Sequence, residues 1–190
     1  AQWFAVMDAA HRVGLRTTAT IMFGHVDRAV HWARHLLRVR AQQEKTQGFT
    51  EFVPLPFVHM EAPIYLKGAS RQGPTWREAV LMHEVARLTL DPVIVNIQAS
   101  WVKLGPDGAA YCLGAGANDL GGTLMNESIT RAAGAVHGQE MGADTIEGII
   151  RMAGRSPVRR NTLYGDAGDD TAGGPEDDLL PVAPRLVAAE

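Results

Sequence analysis

An alternation limits what this chain can fold into. Four short runs rich in β-branched and apolar residues begin near Leu15, Phe49, Val93 and Ala117, and a helical pattern follows each. Strands joined through helices pair in parallel, because a parallel crossover needs a dozen or more residues and a helix supplies them. The first strand is expected over residues 15–23, LRTTATIMF, and the second over 49–55, breaking at Pro54 and Pro56 because proline offers no N–H to a ladder. The third, VIVNIQAS over 93–100, puts Asn96, Gln98 and Ser100 on one alternating face and Val93, Val95 and Ile97 on the other. The fourth is short, 117–120, and runs into Gly121-Gly122.

Helix signals fill the intervals. A first helix shows Trp3, Met7 and Ala10 on one face and closes at Gly14. A second is expected from an Asp27 cap to about Thr46, with Val26, Val30, Ala33 and Leu37 as its apolar stripe. Thr75 and Glu78 have capping-box spacing, Leu81, Val85 and Leu88 give an apolar face, and Asp91-Pro92 stops that helix. Gly105-Pro106-Asp107 opens a short helix ending at Gly114. Another is expected from Ile129 to about Ala135. The last has Asp144 and Glu147 at cap spacing, Ile146, Ile149, Ile150 and Ala153 inward, and Gly154 at its end.

With 190 residues and 46% hydrophobic content the chain has enough for one globular domain, assigned to residues 1–165. From about Gly165 the sequence turns acidic and glycine-rich, so 166–190 are expected to be a disordered tail. A net charge of −3 leaves no basic footprint for nucleic acid, and no apolar run is long enough for a membrane span. Cys112 is the only cysteine, which excludes an internal disulfide and fits a reducing cytoplasm. It reads as a small buried hydrophobe rather than a nucleophile. The amphipathic start at Ala1, without Met, leads us to expect that an N-terminal part precedes it. Four parallel strands then suit half of a TIM-type (β/α) barrel. A doubly wound sheet is the alternative, and no GxGxxG turn supports it.

In such folds polar groups just past the C-terminal ends of strands form the site. Candidates after the second strand are His59 and Glu61, on a proline-stiffened loop that also suits a cover. Gln98 and Ser100 close the third strand, Asn118 and Asp119 lie on the fourth, and Asn126 and Glu127 follow the paired glycines. No residue is assigned to a metal.

Three long stretches, FVPLPFVHMEAPIY, NIQASWVKLG and AGANDLGGTLMNESITRAAGAVHGQEM, resemble the C-terminal portion of the FO synthase family. The likeness is strongest to its tyrosine-using half, the 5-amino-6-(D-ribitylamino)uracil–L-tyrosine 4-hydroxyphenyl transferases, and covers roughly Trp3 to Asp166. The resemblance implies the C-terminal half of a radical SAM barrel. It implies a 4Fe–4S cluster and S-adenosylmethionine as cofactors of the complete enzyme, and transfer of a tyrosine-derived 4-hydroxybenzyl group to the ribityl-diaminouracil in deazaflavin coenzyme biosynthesis. It further implies L-tyrosine and the uracil as small-molecule partners, and two protein partners: the N-terminal half-barrel and the ring-closing half.

Within that resemblance, His59 and Glu61 would manage protons, the uncharged amides and hydroxyls of Gln98, Ser100 and Asn118, beside Asp119, would suit a ribityl chain and a uracil edge, and Asn126 and Glu127 would lie near an anionic or zwitterionic ligand. Two departures stand out. The family's CxxxCxxC motif is absent, so the chain by itself is expected to be inactive. Asp27 stands in GHVD where the family usually shows Glu. A related radical SAM enzyme of the futalosine menaquinone route and a non-catalytic half-barrel are the other readings.

Overall fold

A computed structural model of the chain describes residues 2–124, 126–135, 138 and 140–167. The chain divides into two units, Ala1–Pro157 and Val158–Glu190. The first holds α1 (Gln2–Arg12), β1 (Thr17–Phe23), α2 (Ala29–Thr46), β2 (Phe49–Pro56), α3 (Pro63–Leu66), α4 (Trp76–Leu90), α5 (Trp101–Gly114), α6 (Ile129–Ala132) and α7 (Ala143–Met152). The fold is mixed α/β, and its two-stranded sheet is parallel.

β1 and β2 pair with Thr18 opposite Glu51 and Phe23 opposite Pro56, after an irregularity between Thr17 and Thr18. Residues 93–98 lie beside β2 through a parallel bridge from Phe52 to Ile97, and Gln98 bridges in parallel to Asp119. The four stretches named by the sequence are thus sequential neighbours with one direction. The last two pairings are single bridges rather than full strands, because side chains take the ladder's hydrogen bonds. Asn96 Nδ2 donates to the Thr50 carbonyl at 2.9 Å, and Asn118 Oδ1 accepts the Ile97 N–H at 2.8 Å.

The prolines do not break β2, which runs through Pro56 with Pro54 buried. Successive N–H groups along a strand point to opposite neighbours. The Phe52 N–H donates to Asn96 O, and the Phe57 N–H donates to Phe23 O. Positions 54 and 56 therefore face the side of residues 93–98, which have left the ladder by Gln98. No donor is needed there.

One core lies between the sheet and the helices, with Phe23, Phe52 and Ile97 fully buried against Leu36, Met82 and Leu90. A second gathers Trp101, Cys112, Leu113, Leu120 and Ile149. The expected stripes on two helices are corrected here. α2 starts after an Arg28 cap, not Asp27, and buries Trp32, Leu36, Val39 and Gln43, while Val26, Val30 and Leu37 are exposed. α4 buries Ala79, Met82, His83, Ala86 and Leu90, and leaves Leu81, Val85 and Leu88 outside. Both helices are apolar on two sides. The small side chains Ala79 and Ala86 give α4 the side that approaches the sheet closely.

The caps follow expectation at α4. Thr75 Oγ1 accepts the Glu78 N–H at 3.2 Å, and Glu78 Oε2 accepts the Thr75 N–H at 2.7 Å. Thr75→Ala is expected to cost about 1 kcal/mol, read from the urea midpoint. α5 begins four residues before the expected Gly105, which instead marks a kink at φ 71° ahead of Pro106. α6 stops at Ala132, short of Ala135. α7 is capped by Gly142, and Asp144 and Glu147 form no cap; Glu147 pairs with Arg151 at 2.7 Å.

His83 is fully buried on α4. Its Nδ1–H donates to Ala79 O at 2.8 Å, and its Nε2 is buried without a partner. Burial pushes its pKa below the ordinary value, outweighing the Ala79 bond. The folded protein therefore resists a proton that the unfolded chain accepts. The stability this group contributes is complete above the unfolded pKa, about 6.5, and is lost as pH falls toward the lower folded value. Between pH 7 and 5 the urea midpoint should drop, and His83→Gln should flatten that slope.

In the second unit Arg160 pairs with Asp166 in an antiparallel bridge, and its guanidinium lies 4.0 Å over the Tyr164 ring. The expected tail falls mostly outside the described residues. Among the described residues no helix is long and apolar enough to cross a membrane.

Candidate functional site

The candidate groups stand at the C-terminal ends of the parallel stretches. Past β1, Asp27 turns back toward the strand. Its carboxylate accepts the N–H groups of Gly24 (3.0 Å) and His25 (2.8 Å) and the indole N–H of Trp32. Burial alone would raise its pKa, but the Gly24 and His25 N–H bonds outweigh it and hold the carboxyl below its ordinary value. His25 Nδ1 lies 2.6 Å from Asp27 Oδ1, a close contact rather than an aligned hydrogen bond. Asp27, expected as a helix cap, is thus the post around which the first strand's exit is wound.

Past β2, the His59 ring sits edge-on to Tyr65 in its own loop, with centroids 4.6 Å apart. Glu61 is exposed, and its N–H donates to Ala133 O at 3.0 Å. Gln98 and Asp119 are brought together by their bridge, and Asp119 Oδ1 accepts the Gly121 N–H at 2.7 Å. Ser100 is buried and begins α5, its carbonyl accepting the N–H groups of Lys103 and Leu104.

Asn118 is occupied in holding the fold. Its Oδ1 takes the Ile97 N–H and Arg87 Nη2, while the same guanidinium reaches Gly116 O and Val95 O. Asn126 is exposed. Glu127 accepts the Ile129 and Thr130 N–H groups at the start of α6. Its charge also raises the pKa of Lys103, against a larger lowering by burial. Lys103 Nζ in turn donates to the buried Thr130 hydroxyl at 2.6 Å.

Two contributors escaped the sequence reading. Glu51, half-buried in β2, accepts the Thr18 hydroxyl at 3.0 Å and Gln98 Nε2 at 3.3 Å. The available signal was an acidic residue inside an otherwise apolar strand. Trp101 is buried, and its indole N–H donates to Gly122 O at 3.2 Å, fastening the paired-glycine turn to α5.

Cys112 is fully buried, and burial, with a smaller push from Glu84, raises its thiol to about 12. It is expected to stay unlabelled by iodoacetamide at pH 8 in the folded protein and to react once urea unfolds the chain. No group of three or more His, Cys, Asp or Glu suited to a metal occurs among the described residues.

A family model described as the CofH/MqnC C-terminal region matches residues 46–170. The chain belongs to that family. Its match to the CofH/MqnC C-terminal region takes in β2, α4, α5 and every candidate residue above except those around β1. The chain is 53% identical over 163 residues to the 5-amino-6-(D-ribitylamino)uracil–L-tyrosine 4-hydroxyphenyl transferase of Methanopyrus kandleri, covering 86% of this chain and 44% of that protein. It is 47% identical over 163 residues to the Methanocaldococcus jannaschii protein of the same name, covering 86% and 45%. It is 46% identical over 188 residues to the FO synthase of Streptomyces coelicolor, covering 96% and 22%. The chain therefore spans less than half the length of these curated relatives.

Proposed function

We propose that residues 1–165 form the substrate-side, C-terminal half of a radical SAM barrel, and that 166–190 are a tail outside it. The complete enzyme transfers a tyrosine-derived 4-hydroxybenzyl group to 5-amino-6-(D-ribitylamino)uracil in cytoplasmic deazaflavin biosynthesis. One observation carries this reading: 53% identity over 86% of the chain to a protein named for that tyrosine–uracil transfer. The sequential parallel order of the four stretches, with polar groups at their C-terminal ends, supports it.

The 4Fe–4S cluster that the family implies does not fit the residues of this chain. Cluster iron takes thiolates. The one cysteine is buried in a helix with its thiol pushed up to about 12. In this proposal the cluster and S-adenosylmethionine are held by the other half of the barrel. Binding and orientation of the substrates fall to Gln98, Ser100, Asp119, Asn126 and Glu127. His59 and Glu61 exchange protons with the tyrosine amine or phenol. The loop over residues 57–65 keeps water off the reacting groups.

The test uses the complete enzyme that carries these residues, with its cluster reconstituted. Cleavage of S-adenosylmethionine is expected to need tyrosine, and the coupled product to need the diaminouracil. Cleavage indifferent to tyrosine overturns the reading. Turnover of a futalosine-type substrate in its place would move the chain to the other branch that the family description joins.

A further inference from the structure

Gln98 sits in a built setting. Its Nε2 donates to Glu51 Oε2 at 3.3 Å, and the Thr18 hydroxyl donates to the other carboxylate oxygen at 3.0 Å. An ionised carboxylate only accepts hydrogen bonds, so Glu51 dictates which end of the Gln98 amide is nitrogen. Against that amide lies Gly121. A Cβ there would stand 2.8 Å from Gln98 Nε2 and 3.0 Å from Cδ, and the backbone adopts φ +76°. Asp119, bridged to Gln98, holds the turn by accepting the Gly121 N–H. The amide therefore rests in a notch that only glycine leaves open, with its sense fixed from β2.

A carboxamide has two N–H donors and one carbonyl acceptor. If the N–H anti to the carbonyl is the one given to Glu51, the syn N–H and the carbonyl are left side by side. That pair is the complement of an imide edge, where a ring C=O adjoins a ring N–H. We propose that Gln98 reads the imide edge of a uracil-type ring, its carbonyl accepting the ring N–H and its free N–H donating to the neighbouring ring carbonyl. Glu51 is the positioning residue that keeps the amide from flipping, and Gly121 provides the space. This rests on the reading above in one respect, that the substrate carries a uracil.

The experiment uses the complete, reconstituted enzyme with two substrates, the ribityl-diaminouracil and its analogue methylated at the imide nitrogen. The wild type should disfavour the methylated ring roughly 10- to 100-fold in kcat/KM, the effect of losing one or two well-made hydrogen bonds. Gln98→Ala should raise KM for the natural uracil about tenfold, leave KM for tyrosine within about twofold, and lose most of the discrimination. Glu51→Gln, which keeps size but no longer fixes the amide, should fall between them. If Gln98→Ala does not fold, the comparison of wild type with Glu51→Gln decides alone. Equal use of both uracils by an active wild type, or undiminished discrimination in Glu51→Gln and Gln98→Ala, overturns the proposal and leaves the functional reading standing. An enzyme that cleaves S-adenosylmethionine in the presence of tyrosine but forms no coupled product from the diaminouracil overturns both.

Discussion

Gly24→Ala is expected to cost the protein at least about 3 kcal/mol, from backbone strain and overpacking together. Gly24 adopts φ +93°, and a Cβ there would fall 2.3 Å from Pro74 Cδ and 2.4 Å from Pro74 N. Neither neighbour is the end of a flexible side chain, so the clash cannot be turned aside. The same residue gives its N–H to both oxygens of Asp27, each at 3.0 Å, so a shift here unwinds the exit of β1. Gly14→Ala is the control. Gly14 has φ +85° with nothing within 4 Å of a built Cβ, so it should lose only the conformational part, about 1–2 kcal/mol. Urea titration of both variants separates the two causes. Equal losses would show that the Pro74 contact yields.

Phe52→Ala is expected to cost about 3–5 kcal/mol, the range for emptying an aromatic site in a packed core. Phe52 is fully buried, tilts against the His35 ring at 6.3 Å, and is the point where β2 meets the third stretch. Its N–H and C=O are both engaged there, with Asn96 O at 2.9 Å and the Gln98 N–H at 3.0 Å. The cavity should therefore loosen the alignment of Glu51 with Gln98 as well as the core. Phe52→Leu, which refills much of the volume, should recover most of the midpoint. A loss below about 1 kcal/mol for the alanine variant would mean that the core collapses around the gap.

Features set by short-range chemistry were legible in the sequence. The Thr75–Glu78 box, the stop before Pro92 and the glycine ends at Gly14 and Gly154 all follow from local hydrogen bonding or positive φ, and they appear where expected. The inward residues of α7 were legible too, because that helix is apolar on one side only. The buried faces of α2 and α4 were not, since each offers two apolar sides and the choice is made by what packs against them. The prolines of β2 misled for a related reason. Whether a missing N–H matters depends on whether a neighbouring strand is there to receive it. At the site, the places of Gln98 and Asp119 at strand ends could be read from the sequence, though not the bridge between them. The engagement of Asn118 with Arg87, thirty-one residues away in sequence, could not. Glu51 was hidden by its position within a strand rather than beyond one.

The loop after β2 has a consequence beyond its own residues. Glu61 donates its N–H to Ala133 O, and Gly134, at φ +97°, leaves room for Met60, whose Cβ would stand 2.6 Å from any Cβ at that position. Two segments separated by seventy residues of chain are thereby latched edge to edge. Displacement of residues 60–61 therefore disturbs 133–134 as well, so the two segments are coupled rather than independent. A side chain added at position 134 would be felt first at Met60.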